Sequence, residues 1–180
     1  MLRLTPKRLE VQKAEFDFAA SCRQFAERNW VRVPRFIEPS LLATLHRELA
    51  RASFYDRSHG AIGTELCLLP GALSAALELM ANDPELLAMI EAITACRPLG
   101  CFEGRVYRMV PGAGHHDSWH SDVGENRKIA MSVNLSTSDY VGGVTEFRRV
   151  DEDRPSDSVA NTGRNRQKLH AFCRYSRRPS

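Results

Sequence analysis

The eight residues from position 115 to 122 concentrate side chains that could bind a metal ion. They include three histidines and two aspartates, and they end in a His120-x-Asp122 triplet. In an extended backbone, residues i and i+2 project to the same side, so one imidazole nitrogen and one carboxylate oxygen can converge on a single ion. Two histidines and one carboxylate on one face of an octahedron hold iron in non-heme Fe(II) sites. The triplet therefore predicts part of an iron site, and a solvated polar loop is the alternative.

The charge of the chain is unevenly distributed. The formal net charge is +3 over 180 residues, but residues 164–180 hold six Lys or Arg and no Asp or Glu. Residues 1–163 therefore hold 19 basic and 22 acidic residues, a net charge of −3. This mildly acidic body argues against nucleic-acid binding. The length and the hydrophobic share of 43% suit one globular domain.

Several features of the sequence predict a cytoplasmic protein without a membrane anchor. No apolar run approaches the ~20 residues needed to span a bilayer. The first eight residues are not followed by the apolar stretch of a secretory signal. The five cysteines are odd in number and show no CxxC spacing, which favours reduced thiols over disulfides or a zinc site.

Residues 1–100 are predicted to form a helical layer that packs on the core. Helices are expected over about 13–28, from Pro39 onward, over about 72–81 and after Asp83, with a short β-like run at 30–33. Residues 60–63 are expected to form a loop. Asp83 suits an N-cap, and Pro84 suits the first helical position.

After Cys101 the hydrophobic spacing changes from period 3.6 to period 2. Residues 102–110 place Phe102 and Val106 on one face, and Arg105 and Tyr107 on the other. Residues 128–135 alternate in the same way, and residues 144–150 are predicted to form a further strand. Residues 151–163 are expected to be a polar loop, followed by irregular structure. Helices first and strands later predict an α+β fold.

An ordered series of motifs resembles the prolyl-4-hydroxylase-like branch of the 2-oxoglutarate/Fe(II) dioxygenases. The family has a tyrosine-bearing strand, a glycine-containing turn, the H-x-D triplet, another strand and a glycine pair that leads to an apolar strand. The matching segments are RVYRMVPG at 105–112, WHSD at 119–122, RKIAMSVNLS at 127–136 and YVGGVTEF at 140–147. The resemblance covers roughly residues 25–163.

The resemblance implies a double-stranded β-helix, a cupin-like jelly roll, with residues 101–163 as a partial core. His120 and Asp122 would bind Fe(II) together with a third histidine, and 2-oxoglutarate would be the co-substrate. Tyr107 matches the tyrosine that hydrogen-bonds the 2-oxoglutarate carboxylate, with a core tyrosine as the alternative. His115 and His116 are expected to be surface loop histidines, with a substrate-facing role as the alternative. A shifted triplet of His115 and Asp117 fits the downstream spacing less well.

Residues 164–180 depart from the family pattern. The family continues with a turn, an apolar strand, a distal histidine, a basic residue that pairs with 2-oxoglutarate, and a closing strand. Three explanations stay open: a compressed site with His170 as third ligand and Arg174 as anion partner, a tail altered by a frameshift, or a basic appendage that binds an acidic partner or nucleic acid. The frameshift is favoured, so the C-terminal strands are expected to be incomplete, with weak iron binding and reduced stability.

The sequence as a whole predicts an Fe(II)- and 2-oxoglutarate-dependent dioxygenase that hydroxylates a small molecule or a peptide and releases succinate and CO2. The alternative is a degenerate or truncated member of the fold that does not catalyse and acts as a binding module. The sequence does not specify the substrate or the oligomeric state.

Overall fold

The computed structural model contains four helices and ten strands within the residues it describes. These residues are 2–4, 9–11, 16–60, 62–96, 98–120, 128–136, 145–147, 157–159 and 168–176, with the first two and last three segments described as backbone only. The helices are α1 Phe18–Arg28, α2 Pro39–Arg51, α3 Ala72–Ala81 and α4 Pro84–Thr94. The strands are β1 Leu2–Leu4, β2 Leu9–Val11, β3 Phe54–Ser58, β4 Gly63–Leu68, β5 Cys101–Met109, β6 His116–Asp117, β7 Ala130–Asn134, β8 Thr145–Phe147, β9 Asp157–Val159 and β10 Lys168–Ser176.

Most of these strands belong to one antiparallel sheet. Its order is β3-β4-β5-β10-β7, and the short strand β6 pairs with the start of β4. The strands β1 and β2 pair with each other, as do β8 and β9. None of the helices among the described residues is long and apolar enough to cross a membrane. The α+β class predicted from the sequence is therefore confirmed, whereas the described strands do not by themselves define a jelly roll.

Local capping interactions set where the helices begin. The Asp17 carboxylate accepts a hydrogen bond from the amide of Ala20 at 2.8 Å and starts α1 at Phe18. The Asp83 carboxylate accepts bonds from the amides of Glu85 and Leu86 and starts α4. The predicted helices at Pro39, at 72–81 and after Asp83 are confirmed. The predicted start of α1 near residue 13 lies outside the described residues.

The helices pack on one face of the sheet through two apolar clusters. The first contains Ala81, Leu86, Ile90, Leu99 and Phe102, and the second contains Leu41, Leu45, Leu49, Leu68, Val106 and Leu135. A cavity of about 70 Å³ lies between helices and sheet where β5 carries Gly104. Asn82, at the end of α3, bonds both the amide and the carbonyl of Phe102 and so fixes this helix to β5.

Several expected elements differ from those observed. Residues 30–33 form no strand, because the backbone takes left-handed conformations at Asn29 and Arg35, on either side of them. The loop expected at 60–63 is the tip of a hairpin formed by β3 and β4, two strands that the sequence analysis did not anticipate. The expected polar loop at 151–163 contains β9.

The expectation of irregular structure after residue 163 is also wrong. The segment β10 forms a strand that pairs with β5 on one side and β7 on the other. Its residues Leu169, Ala171, Cys173 and Tyr175 alternate with His170 and Arg174, a period-2 signal that the expectation of irregular structure overlooked. A strand between two partners also gains backbone hydrogen bonds along both edges. Reduced stability was predicted because the C-terminal strands were expected to be incomplete. The presence of β10 in the sheet removes that reason.

Candidate metal centre

The segment that carries His120 is attached to the tip of the β3–β4 hairpin. Gly63 and Thr64 pair with Asp117 and His116, and the Thr64 hydroxyl donates to the carbonyl of Gly114 at 3.2 Å. A Cβ atom at position 63 would collide with the carbonyl oxygen of His116. Glycine is therefore required at position 63 so that the two backbones can approach this closely.

Ser118 makes the second attachment to the hairpin. Its amide and its hydroxyl both donate to the carbonyl oxygen of Ile62, each at 2.7 Å. These two bonds and the β4–β6 pairing fix the backbone immediately before His120. A side chain that follows a fixed backbone loses little additional freedom when it binds a ligand.

The imidazole of His120 is oriented by its own segment. Its Nδ1 lies 2.8 Å from the carbonyl oxygen of Ser118 and 3.4 Å from Oδ1 of Asp117, and the side chain is 26% exposed. Because a carbonyl oxygen can only accept, Nδ1 carries the proton and Nε2 carries the lone pair in the neutral ring. Histidines that bind metals through Nε2 commonly donate their other N–H to a backbone carbonyl in this way.

The other two predicted ligands lie outside the part of the chain whose side chains the structure describes. Asp122 lies outside the described residues, and for His170 the structure describes the backbone alone. Within the described part of the chain, no group of three or more His, Cys, Asp or Glu side chains could hold a metal ion. His120 is therefore the one predicted ligand whose side-chain geometry is described.

The strand register places the other predicted site residues along β5 and β10. His170 lies opposite Tyr107 on one side and Asn134 on the other, near the end of β5 that leads to the His120 segment. Arg174 lies opposite Glu103, four positions further along β10. Four residues of strand correspond to about 13 Å, so Tyr107 and Arg174 are set apart along the sheet. Tyr107 itself is buried, with the Arg105 guanidinium 5.4 Å from its ring centroid.

The two neighbouring histidines have local structural partners. Nδ1 of His115 accepts a hydrogen bond from the amide of Val110 at 2.9 Å, which closes the turn after β5. Nδ1 of His116 lies 3.1 Å from the carbonyl of Gly114, and this residue is exposed. His115 therefore lies in the turn after β5 as expected, whereas His116 is exposed but belongs to β6 and not to a loop.

The sequence analysis missed a polar cluster on the sheet face that lies opposite the helices. At its centre is Glu65, which is only 4% exposed. Its Oε1 accepts from Nε of Arg105 at 2.6 Å, lies 2.7 Å from Nε2 of His59 and 3.2 Å from the thiol of Cys67. The signal in the sequence was a charged residue inside a β-like alternation at 63–68, which is unusual unless the charge is paired.

The cluster shifts the ionisation of its members. Burial opposes ionisation of Glu65, but the hydrogen bonds from Arg105 and His59 outweigh it and hold the pKa below the ordinary value of 4.5. Burial, together with the hydrogen bond to Glu65, raises the pKa of the Cys67 thiol. For Arg105, burial acts to lower the pKa, and the bond to Glu65 raises it above the ordinary value overall. At neutral pH the cluster therefore holds an ionised Glu65–Arg105 pair and a neutral thiol.

No protein-family model matches the chain, and no curated protein matches it at a significant level. Fold and site together define an α+β protein in which an antiparallel sheet carries a helical layer on one face and a buried polar cluster on the other.

Proposed function

We propose that the chain is an Fe(II)- and 2-oxoglutarate-dependent dioxygenase that hydroxylates a small molecule or a peptide. The observation that carries this proposal is the hydrogen bond between Nδ1 of His120 and the Ser118 carbonyl. It directs the lone pair of Nε2 away from the backbone, as a metal ligand requires. The sequence motifs around His120 add the family resemblance to this geometry.

The predicted donor set suits a borderline divalent ion such as Fe(II), which accepts both imidazole nitrogen and carboxylate oxygen. His120 and Asp122 would hold the iron, with His170 as candidate for the third position. When bound, the iron would supply the activation of O2 that amino-acid side chains cannot perform. Tyr107 would donate a hydrogen bond to a carboxylate of 2-oxoglutarate, and its burial would keep water away from that contact.

The chain's own contribution to the reaction would be positioning. Gly63 and Ser118 fix the segment before His120, and the Ser118 carbonyl sets the tautomer of the ring. The order β5-β10-β7 is compatible with a jelly roll, because the last described strand lies between two earlier ones rather than beside its neighbour in sequence. The jelly roll is therefore part of the proposal.

The test is anaerobic titration of the protein with Fe(II) and 2-oxoglutarate, followed by air. We expect a weak visible charge-transfer band and then succinate, and both should be lost in His120→Ala. His116→Ala is the matched control, because His116 is an exposed histidine of the same segment. His170→Ala tests the third ligand in the same assay. If the wild-type protein gives neither signal, the non-catalytic binding module is supported instead.

A further inference from the structure

The β3–β4 hairpin and β5 carry the polar cluster around Glu65 on the sheet face opposite the helices, and Arg57 lies on the same face. The register pairs Arg57 with Glu65, and Cys67 with Tyr107, and paired residues of antiparallel strands project to the same face. We call this surface the polar face and define it by Arg57, Glu65, Cys67, Arg105 and Tyr107. None of these residues is a predicted iron ligand.

The carboxylate of the polar face is already paired with Arg105. Oε1 of Glu65 bonds Nε of Arg105 and lies next to His59 and Cys67. Oε2 accepts from Nη2 of Arg105 at 3.4 Å. A carboxylate that accepts from two nitrogens of one guanidinium neutralises its one positive charge. The Glu65–Arg105 pair is thus neutral as a unit.

Arg57 is left with its charge uncompensated. It lies directly across from Glu65, yet the carboxylate bonds Arg105 instead. Among the described residues, its polar contact is the thiol of Cys67, 4.0 Å from Nη1. Because burial raises the pKa of that thiol, Cys67 is uncharged at neutral pH. Arg57 is partly buried, and no carboxylate among the described residues neutralises its charge.

A second half-buried arginine on the opposite face shows how the fold compensates such a charge. Nη2 of Arg108 donates to the carbonyl of Leu49 in the last turn of α2, where the helix dipole favours a cation. Its guanidinium also lies 4.1 Å from the ring centroid of Phe54. Arg57 has no comparable carbonyl or ring partner in the described part of the chain.

We propose that Arg57 is the anchor of an anion-binding site on the polar face, which takes a carboxylate or phosphate group. The guanidinium fork suits either group, because it can donate two parallel N–H bonds to two oxygens. The site is formed by residues of β3 and β4, and it contains no predicted iron ligand. The tip of the same hairpin holds the His120 segment, so an anion here would be fixed on the element that positions the candidate metal ligand.

The assignment of this anion to a substrate rests on the proposed function, whereas the site itself does not. In the proposed dioxygenase, Arg57 would select substrates with an anionic group. The anion bound by Arg57 could equally be a carboxylate of 2-oxoglutarate. The experiment distinguishes an anionic group of the substrate from a carboxylate of the co-substrate.

The site is tested by calorimetric titration of the metal-free protein with glutarate and with inorganic phosphate at low ionic strength, where exposed charges are least screened. We expect binding of at least one probe, weakened about tenfold in Arg57→Gln and less in Arg57→Lys. Arg47→Gln is the control, since Arg47 is an exposed arginine of α2 that bonds Thr44. A thermal melt of each variant verifies folding.

The outcomes are distinct. No binding of either probe by the wild-type protein, or equal affinities in wild type and Arg57→Gln, overturns the site. Loss of binding in Arg57→Gln supports it, whether or not the iron assay succeeds. A repeat with Fe(II) and saturating 2-oxoglutarate then identifies the source. If glutarate is displaced, the anion is that of the co-substrate, and if glutarate still binds, it is that of a substrate.

Discussion

At the scale of single residues, Glu65 is the charged residue that lies buried among the residues whose exposure the structure describes. This carboxylate is almost fully buried and bonds Arg105 through both oxygens. Replacing it by Gln keeps the shape but leaves the partner guanidinium without its counter-ion. Breaking a buried pair from one side costs on the order of 3 kcal/mol. We expect Glu65→Gln to lower the free energy of unfolding by about this amount at pH 7.

The pH dependence of this effect follows from the direction of the pKa shift. The pKa of Glu65 is lower in the folded chain than the ordinary value of 4.5, so the folded state binds its proton less readily than the unfolded state. The stabilisation is therefore present above pH 4.5 and is lost as the pH falls below that value towards the folded pKa. Urea unfolding at pH 7 and at pH 3 should show the cost of Glu65→Gln shrink at the lower pH. Glu48→Gln, at an exposed position of α2, should show no such trend. A cost that is equal at both pH values would contradict this account.

At the scale of elements, the contact between β4 and β6 couples the hairpin to the candidate metal ligand. We expect Gly63→Ala to separate the two strands, because its Cβ would overlap the carbonyl oxygen of His116. Overpacking of this kind costs about 1–3 kcal/mol. Fe(II) affinity should fall although no ligand has changed. The readouts are the free energy of unfolding and the Fe(II) dissociation constant.

The control for that variant is Gly71→Ala. A Cβ at Gly71 meets no atom within 4 Å, so Fe(II) affinity should stay at the wild-type value. If Gly63→Ala binds Fe(II) as tightly as wild type while His120→Ala does not, the hairpin is not what positions the ligand.

The elements also show what the sequence could and could not predict. The helix α4 was predictable because its N-cap Asp83, the proline that follows and its apolar spacing are local signals. The strands β3 and β4 were not, because β3 has no alternation of apolar residues and the short alternation in β4 contains the charged Glu65. Their polar cluster joins residues forty positions apart, which no local pattern encodes. The triplet at His120 was found because its signal lies within three residues, but its attachment through Ile62 depends on a tertiary contact.

At the scale of the whole molecule, the position of β10 decides what residues 164–180 do. Nine of them form the strand Lys168–Ser176, which lies between β5 and β7 in the sheet. A dispensable basic appendage would be attached at an edge or outside the fold. Removing a strand from inside a sheet instead leaves the backbone donors and acceptors of two neighbours unpaired. The structure therefore makes this segment part of the core sheet.

We expect a chain ending at residue 163 to lose cooperative unfolding and to associate through its exposed strand edges. Circular dichroism melts and size-exclusion chromatography measure both effects. The matched control keeps the strand and removes charge: Arg177→Gln together with Arg178→Gln should melt like wild type, since both positions follow β10. If the shortened chain keeps the wild-type transition and stays monodisperse, the central strand is not needed for the fold. In that case the basic segment would have to act through its charge alone.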